Sequence, residues 1–162
     1  YFNAKYLSKR FTPAGPDHAQ IAACAGIADY IDTLHHHHGG SSSASATERG
    51  EFVHDLMRAH ETKIMPPLLE WASNKNSVRL LGPDKAGLRA PTIALDIKQD
   101  PKDITNKLAQ KGIMAGSGDF YAVRALEAHD IDTSKGVLRL SYVHYTNREE
   151  IEKLVDALDC SI

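Results

Sequence analysis

The segment "GVLRLSYVHYTN", residues 136–147, limits what this chain can fold into more than any other stretch. Strand alternation sends Val137, Arg139, Ser141 and Val143 to one face and Leu138, Leu140, Tyr142 and His144 to the other. Both faces carry apolar residues, so neither is plainly the wet one. Arg139 therefore needs an explanation, because a guanidinium does not give up its charge in a protein. If it is buried it needs an anion, and a carboxylate has the matching two-pronged geometry. Three answers are open. The anion is internal, from Asp96 or Asp119 for example; it belongs to a ligand; or the strand is an edge strand on which Arg139 simply reaches water.

The elements around this strand are short and well punctuated. "SVRLLGP" (77–83) and "APTIALDI" (90–97) read as strands, the first stopped by Gly-Pro and the second apolar on both faces. "DPKDITNKLAQKG" (100–112) reads as a helix with Asp100 as cap, Pro101 at its first position and Gly112 as the stop. "IMAGSGDF" leads from a brief strand into a glycine-rich loop. After the opening strand comes "TNREEIEKLVDAL", where Thr146 and Glu149 have capping-box spacing and Ile151, Leu154, Val155 and Leu158 form an apolar stripe.

The first half is helical. Residues 1–16 mix aromatic and basic side chains with Pro13, Gly15 and Pro16 and read as an irregular lead-in. Asp17 is a fitting cap for a helix in which Ile21, Ala25, Ala28 and Ile31 recur at helical spacing. "HHHHGGSSSASATE" follows, with nothing to pack a core. From Glu51, the residues Val53, Met57, His60, Ile64, Leu68 and Trp71 make one stripe, with a break expected at Pro66-Pro67. The expected organisation is α+β: a lead-in and linking helix over 1–34, a low-complexity His/Gly/Ser linker over 35–50, and a small sheet covered by helices within 51–162.

Composition excludes several classes of function. Of 162 residues, 42% are hydrophobic and 25% charged, which suits one core, and a net charge of -2 offers no surface for nucleic acid or anionic membrane. No stretch is long enough to span a bilayer, and the start is not a signal peptide. Cys24 and Cys160 make no disulfide framework, so a reducing, cytoplasmic setting fits best. The chain opens on Tyr1 without a methionine and reads as part of something longer.

Two further features invite a functional reading. His35 to His38 are competent metal ligands, but a run that leads into Gly and Ser does not converge on an ion, and a solvated helix end is the plainer account. His54 and His60, six residues apart on a helix, do not share a face and read as structural or exposed. "AGSGDFYAVR" (115–124) has no Gly-Lys-Ser/Thr ending and is not a phosphate loop. Either it is a turn that needs positive φ at Gly116 or Gly118, or it presents Asp119, Phe120, Tyr121 and Arg124 to a ligand.

"GVLRLSYVHYTNREEIEKLVDAL" resembles the C-terminal signature of class V aminotransferase-fold enzymes that use pyridoxal phosphate, especially the cysteine desulfurase-like branch. A strand bearing Arg-x-Ser, a Tyr-Asn-Thr-like turn and a Glu-rich helix start carry the likeness. "PTIALDI", "LAQKGIMAGSGDFYAVRALE" and "PDHAQIAACAGIADYID" fall in the order expected of that family, so the resemblance extends over nearly the whole chain. It implies the small domain of a fold-type-I enzyme, dimeric when intact and acting on an amino acid. The strand arginine of the family binds the substrate α-carboxylate, a role that falls on Arg139, with Asp119, Phe120 and Tyr121 at the mouth of the site.

The resemblance also implies what this chain does not carry. In the family pyridoxal phosphate forms a Schiff base with a lysine, and an Asp meets the pyridine nitrogen, both in a large domain upstream. No lysine here, Lys5 and Lys9 included, stands in that context, so the chain is expected to be a C-terminal portion, inactive and without cofactor on its own. Where desulfurases carry Gly-His-His-Cys, this chain has "GDFYAVR", with Tyr121 at the cysteine position, and a phenol cannot carry a persulfide. The phosphate-touching Gly-Thr-Pro is here "AGPDH", with Pro16 or Asp17 at the hydroxyl position. The resemblance therefore does not extend to desulfuration, while transamination, β-elimination or an unassigned reaction stay open. A stand-alone module that binds an amino acid or similar anion, with Arg139 as receptor, is the alternative from a different class; a metal-binding domain built on His35 to His38 is a third.

Overall fold

The computed structural model describes residues 17–162; the expected lead-in over 1–16, with Lys5, Lys9 and Pro16, lies outside the described residues. In chain order the elements are α1 (His18–His37), α2 (Ala46–Ile64), α3 (Pro66–Asn74), β1 (Val78–Leu81), β2 (Thr92–Ile97), α4 (Pro101–Gln110), β3 (Gly116–Gly118), α5 (Val123–Ala128), β4 (Val137–Ser141) and α6 (Arg148–Asp159). Two compact units, Tyr1–Leu56 and Met57–Ile162, divide the chain within α2. Among the described residues no helix is long and apolar enough to cross a membrane.

In the first unit Asp17 caps α1 as expected, its Oδ1 accepting from the backbone N–H of Ala19 at 3.0 Å and of Gln20 at 3.2 Å. The helix runs on through the histidines to His37, past the stop expected at Leu34. Its apolar stripe is not a core: Ile21, Ala25 and Ala28 are exposed and Ile31 is half-buried. The buried residue of α1 is His35, whose ring meets that of Phe52 edge-on at 5.1 Å. Gly40 lies against the same imidazole, where a Cβ would overlap it. The first histidine of the run is thus packed and does not belong to a solvated linker. The next helix also starts earlier than expected, at Ala46, because Ser45 and Glu48 exchange side-chain to backbone hydrogen bonds at 2.7 and 3.3 Å. Arg49 anchors this start, with Nε donating to Asp32 at 2.6 Å and Nη1 to the Ala44 carbonyl at 2.7 Å.

The second unit is a four-stranded antiparallel sheet, order β1-β2-β4-β3, with α3, α4 and α6 on one face. Ile93, Leu95, Ile97, Leu138 and Leu140 point to that face and join Leu68, Leu69, Ala72, Ile104, Leu108, Ile151 and Leu158 in the main core. The helices arrive there because their ends are chemically marked. Pro66-Pro67 cannot continue α2, and α3 restarts at Pro66 with Leu68, Leu69 and Ala72 turned inward. Asp100 Oδ1 accepts from Lys102 N at 2.8 Å and Pro101 opens α4. α6 has a capping box, but it is Asn147 with Glu150, at 2.9 and 2.8 Å, one residue beyond the Thr146–Glu149 spacing read from the sequence. Thr146 instead uses its hydroxyl to accept from Val143 N at 3.3 Å, and its carbonyl oxygen is 2.7 Å from His60 Nε2, which makes His60 structural. Trp71 and Lys75 of the α3 segment both donate to Asp159 of α6, and Lys75 first, then Trp71, hold that carboxyl below its ordinary range.

Behind the other face lies a second, smaller cluster of Leu126, Ile131 and Val137, bordered by Leu81, Ala94 and Phe120. It comes from α5 and the turn after it, a helix that the glycine-rich loop expected in this region does not anticipate. The β3–β4 contact is very close. Gly136 has φ +69, and a Cβ there would run into the backbone of Gly118. Gly136→Ala is expected to lower unfolding free energy by about 2–4 kcal/mol, since both the conformation and the space are denied to it. A denaturation midpoint matching that of the unchanged protein would mean that β3 yields freely.

Tyr142 marks a weak point of the core. It is 8% exposed, and its hydroxyl has no hydrogen-bond partner among the described residues. Burial, followed by the charge of Glu61, pushes the phenol well above its ordinary range, and Arg89 only partly counters this. Arg89 spends its terminal nitrogens on the carbonyls of Pro83, Leu81 and Thr92, at 2.6, 3.2 and 3.1 Å, and leaves its buried Nε unpartnered. Removing an unsatisfied buried hydroxyl costs nothing in hydrogen bonds. Tyr142→Phe should leave stability unchanged or raise it by up to about 1 kcal/mol. A clear loss in urea denaturation would show that the hydroxyl has a partner in solution.

Candidate functional site

Strand register builds the site. β2 pairs with β4 so that Ala94 lies opposite Arg139 and Thr92 opposite Ser141, and β3 places Gly116 on the other side of Arg139. Paired residues share a face, so the sheet surface away from the main core carries Arg79, Leu81, Thr92, Ala94, Asp96, Arg139, Ser141 and Gly116. Arg139 is exposed there although β4 is an inner strand, flanked by β2 and β3. The edge-strand answer to its presence is therefore wrong: the arginine reaches solvent because its neighbours across the strands are an alanine and a glycine.

The internal-carboxylate answer fails too. Asp96 is held by Arg79, with an N–O separation of 2.9 Å, and Arg79 also donates to the His129 carbonyl at 2.7 Å. Asp119 uses Oδ1 to accept from Tyr121 N at 3.1 Å. Among the described residues the Arg139 side chain makes no hydrogen bond and no ion pair. Its contact is with Phe120, whose ring centroid lies 3.9 Å from the guanidinium carbon. Thr92 Oγ1 and Ser141 Oγ sit together at 3.2 Å on the same face. A permanent cation with its donor edge free, next to two hydroxyls, can take an anion with several acceptor oxygens.

The loop that brings Phe120 to the arginine is bent in an uncommon way. Phe120 and Tyr121 both have positive φ, 51° and 59°, a region that non-glycine residues rarely occupy and that costs about 1–3 kcal/mol per residue. The Asp119 side chain and the Ala122 N–H to Asp119 carbonyl bond of 2.8 Å close the turn. Tyr121 is fully exposed at 103% and Asp119 is half-buried. Positive φ was expected at Gly116 or Gly118; Gly118 has it at +131, while Gly116 matters for its missing side chain. Arg124, on exposed α5, has no part in the contact with Arg139. The sequence singles out Phe120 but not its ring contact, and it gives no sign of Thr92, whose place beside Ser141 only the strand pairing reveals.

No strand of the sheet carries a lysine, and none occurs from Asp119 to Ile131. The groups around Arg139 therefore do not fit covalent attachment of pyridoxal phosphate, and the chemistry of that cofactor does not fall to them. Among the described residues no three His, Cys, Asp or Glu side chains converge for a metal ion, His35 to His38 included. Cys24 and Cys160 are exposed free thiols, and neither is part of the loop in sequence.

Comparison with known proteins agrees with this geometry at the level of family and fold. The aminotransferase class-V family pattern matches residues 42–154. An aminotransferase-like protein of Gibberella zeae is 28% identical over 112 residues, covering 65% of this chain and 27% of its own length. A probable cysteine desulfurase of Aeropyrum pernix is 27% identical over 106 residues, covering 65% and 24%. Among solved structures, a cysteine desulfurase of Thermococcus onnurineus superposes with a TM-score of 0.61 at 19% identity, over 72% of this chain and 28% of that one. One from Escherichia coli gives 0.55 at 19% identity, over 76% and 32%. The chain thus spans about a quarter of the length of the curated relatives it matches. Its α+β fold is that of part of a cysteine desulfurase, and the chain belongs to the aminotransferase class-V family.

Proposed function

We propose that this chain forms the substrate-side small domain of a pyridoxal-phosphate-dependent enzyme acting on an amino acid, dimeric in its working form, and that Arg139 holds the substrate α-carboxylate. Proteins of this family use pyridoxal phosphate and bind amino-acid substrates. The observation that carries the reading is the state of Arg139: solvent-facing on an inner strand, with no internal carboxylate spent on it. The work of this chain's own residues is to bind and orient. Arg139 offers paired N–H donors to the carboxylate, Ser141 and Thr92 border it with hydroxyls, and Asp119, Phe120 and Tyr121 form the mouth. The cofactor supplies electron withdrawal from the substrate when bound, and its lysine is not among the groups that surround Arg139.

Tyr121 in place of a thiol argues against sulfur transfer as the outcome and leaves transamination or β-elimination. A binding module without chemistry would use Arg139 in the same way; the family match favours the enzyme. Borohydride reduction of the full-length protein with pyridoxal phosphate separates the two, since a labelled lysine is expected only for the enzyme. In that protein, Arg139→Ala should raise KM for amino-acid substrates roughly ten- to a hundredfold, from a charge-assisted contact of about 1.5–3 kcal/mol. An unchanged KM would remove Arg139 from the role.

A further inference from the structure

We propose that Phe120 is a positioning residue for Arg139: its ring is a platform that holds the guanidinium flat, so that a substrate carboxylate is met by the free donor edge. This deepens the proposed function and rests on it. The need for a platform follows from the strand neighbours. Ala94 and Gly116 flank Arg139 on its face of the sheet, so neither supplies a side chain long enough to wall in a four-bond stem. Without a restraint the arginine would sweep the open face, and each binding event would have to order it. Among the described residues, the group that lies against the guanidinium is the Phe120 ring, its centroid 3.9 Å from the guanidinium carbon.

Three separate features put the ring there. Gly116 leaves the room, since a Cβ at that position would lie 3.0 Å from Phe120 Cζ and 3.1 Å from Cε1. The left-handed backbone at Phe120 and Tyr121 turns the ring back over the sheet and throws Tyr121 outward. Asp119 stabilises that bend by accepting from Tyr121 N. Strain of this kind persists only where the surroundings over-determine it, and here the second cluster of Leu126, Ile131 and Val137 holds the Phe120 edge. A ring on one face of the guanidinium covers no N–H donor, so the stacked arginine keeps its two-pronged edge for a carboxylate. It also excludes water from one side of the contact.

The test uses the full-length protein labelled with 15N-arginine, with L-alanine as the probe. Phe120→Leu keeps an apolar side chain but removes the ring. It should move the Arg139 Nε–H resonance out of its ring-current position and weaken L-alanine binding about three- to fivefold. Phe120→Tyr should keep both within about twofold, and Gly116→Ala, which displaces the ring without altering it, should behave like Phe120→Leu. Equal losses in Phe120→Leu and Phe120→Tyr would mean that packing and not the ring matters, and would overturn the proposal. So would an unchanged resonance and affinity in Phe120→Leu. Arg139→Ala distinguishes the two levels. If it abolishes the response to L-alanine while Phe120→Leu has no effect, the carboxylate role stands and the platform falls; if it leaves L-alanine binding intact, both fall.

Discussion

The register between β2 and β4 is the constraint on which the rest of the second unit depends. Ile93 opposite Leu140 and Leu95 opposite Leu138 send four large apolar side chains to the helices, while Ala94 opposite Arg139 and Thr92 opposite Ser141 go the other way. A slip of one residue would exchange the two sets. Each buried leucine or isoleucine contributes about 1.5–3 kcal/mol, and an unpaired guanidinium in the core would cost several kcal/mol. The penalty for the wrong register is therefore several times larger than the preference of any one side chain. The helices depend on the same register, because α3, α4 and α6 pack on the surface that these leucines and isoleucines form.

That constraint separates two arginines with the same chemistry. Arg79 and Arg139 share a face of the sheet, yet Arg79 is neutralised by Asp96 directly across the β1–β2 pair and also donates to the His129 carbonyl. Arg139 faces Ala94 across β2 and Gly116 across β3. The sheet supplies an anion to one and withholds it from the other. Interior polar groups elsewhere are less well served: Arg89 Nε and the Tyr142 hydroxyl are buried without partners among the described residues. The free arginine lies on the open side, where leaving it unpaired carries no desolvation cost and where a ligand can reach it.

Local signals in the sequence were legible where the physics is local. Asp17 and Asp100 as caps, the break at Pro66-Pro67 and the alternation along β4 all concern groups within one helical turn or one strand, and the structure agrees with them. The α6 cap falls one residue later than its spacing suggests, because Thr146 and Asn147 are both competent and Thr146 spends its hydroxyl on Val143 N. What failed was non-local. The α1 stripe has helical spacing, but periodicity says nothing of whether a partner covers it, and Ile21, Ala25 and Ala28 are exposed. The same holds for the site. Arg139 stood out from its own strand, whereas its status as an inner-strand residue, the loss of Asp96 to Arg79 and the ring above it depend on pairings across tens of residues.

The same distinction bears on how far the likeness to desulfurases extends. The sequence resemblance rests most on the strand, turn and helix from β4 to α6, which carries the cation we assign to a carboxylate together with its scaffold. On that resemblance the loop ahead of α5 is the part expected to depart, with Tyr121 where a thiol is expected. An exposed phenol on a left-handed turn stores no persulfide. In our reading, the cation that recognises an amino acid and the side chain that bears on its fate, Tyr121, are thereby located on different segments, with Phe120 of the loop reaching back to the cation. The β-sheet register fixes the first. On the same reading the second falls to a short loop with two left-handed residues, Phe120 and Tyr121, of which only Phe120 packs against the core.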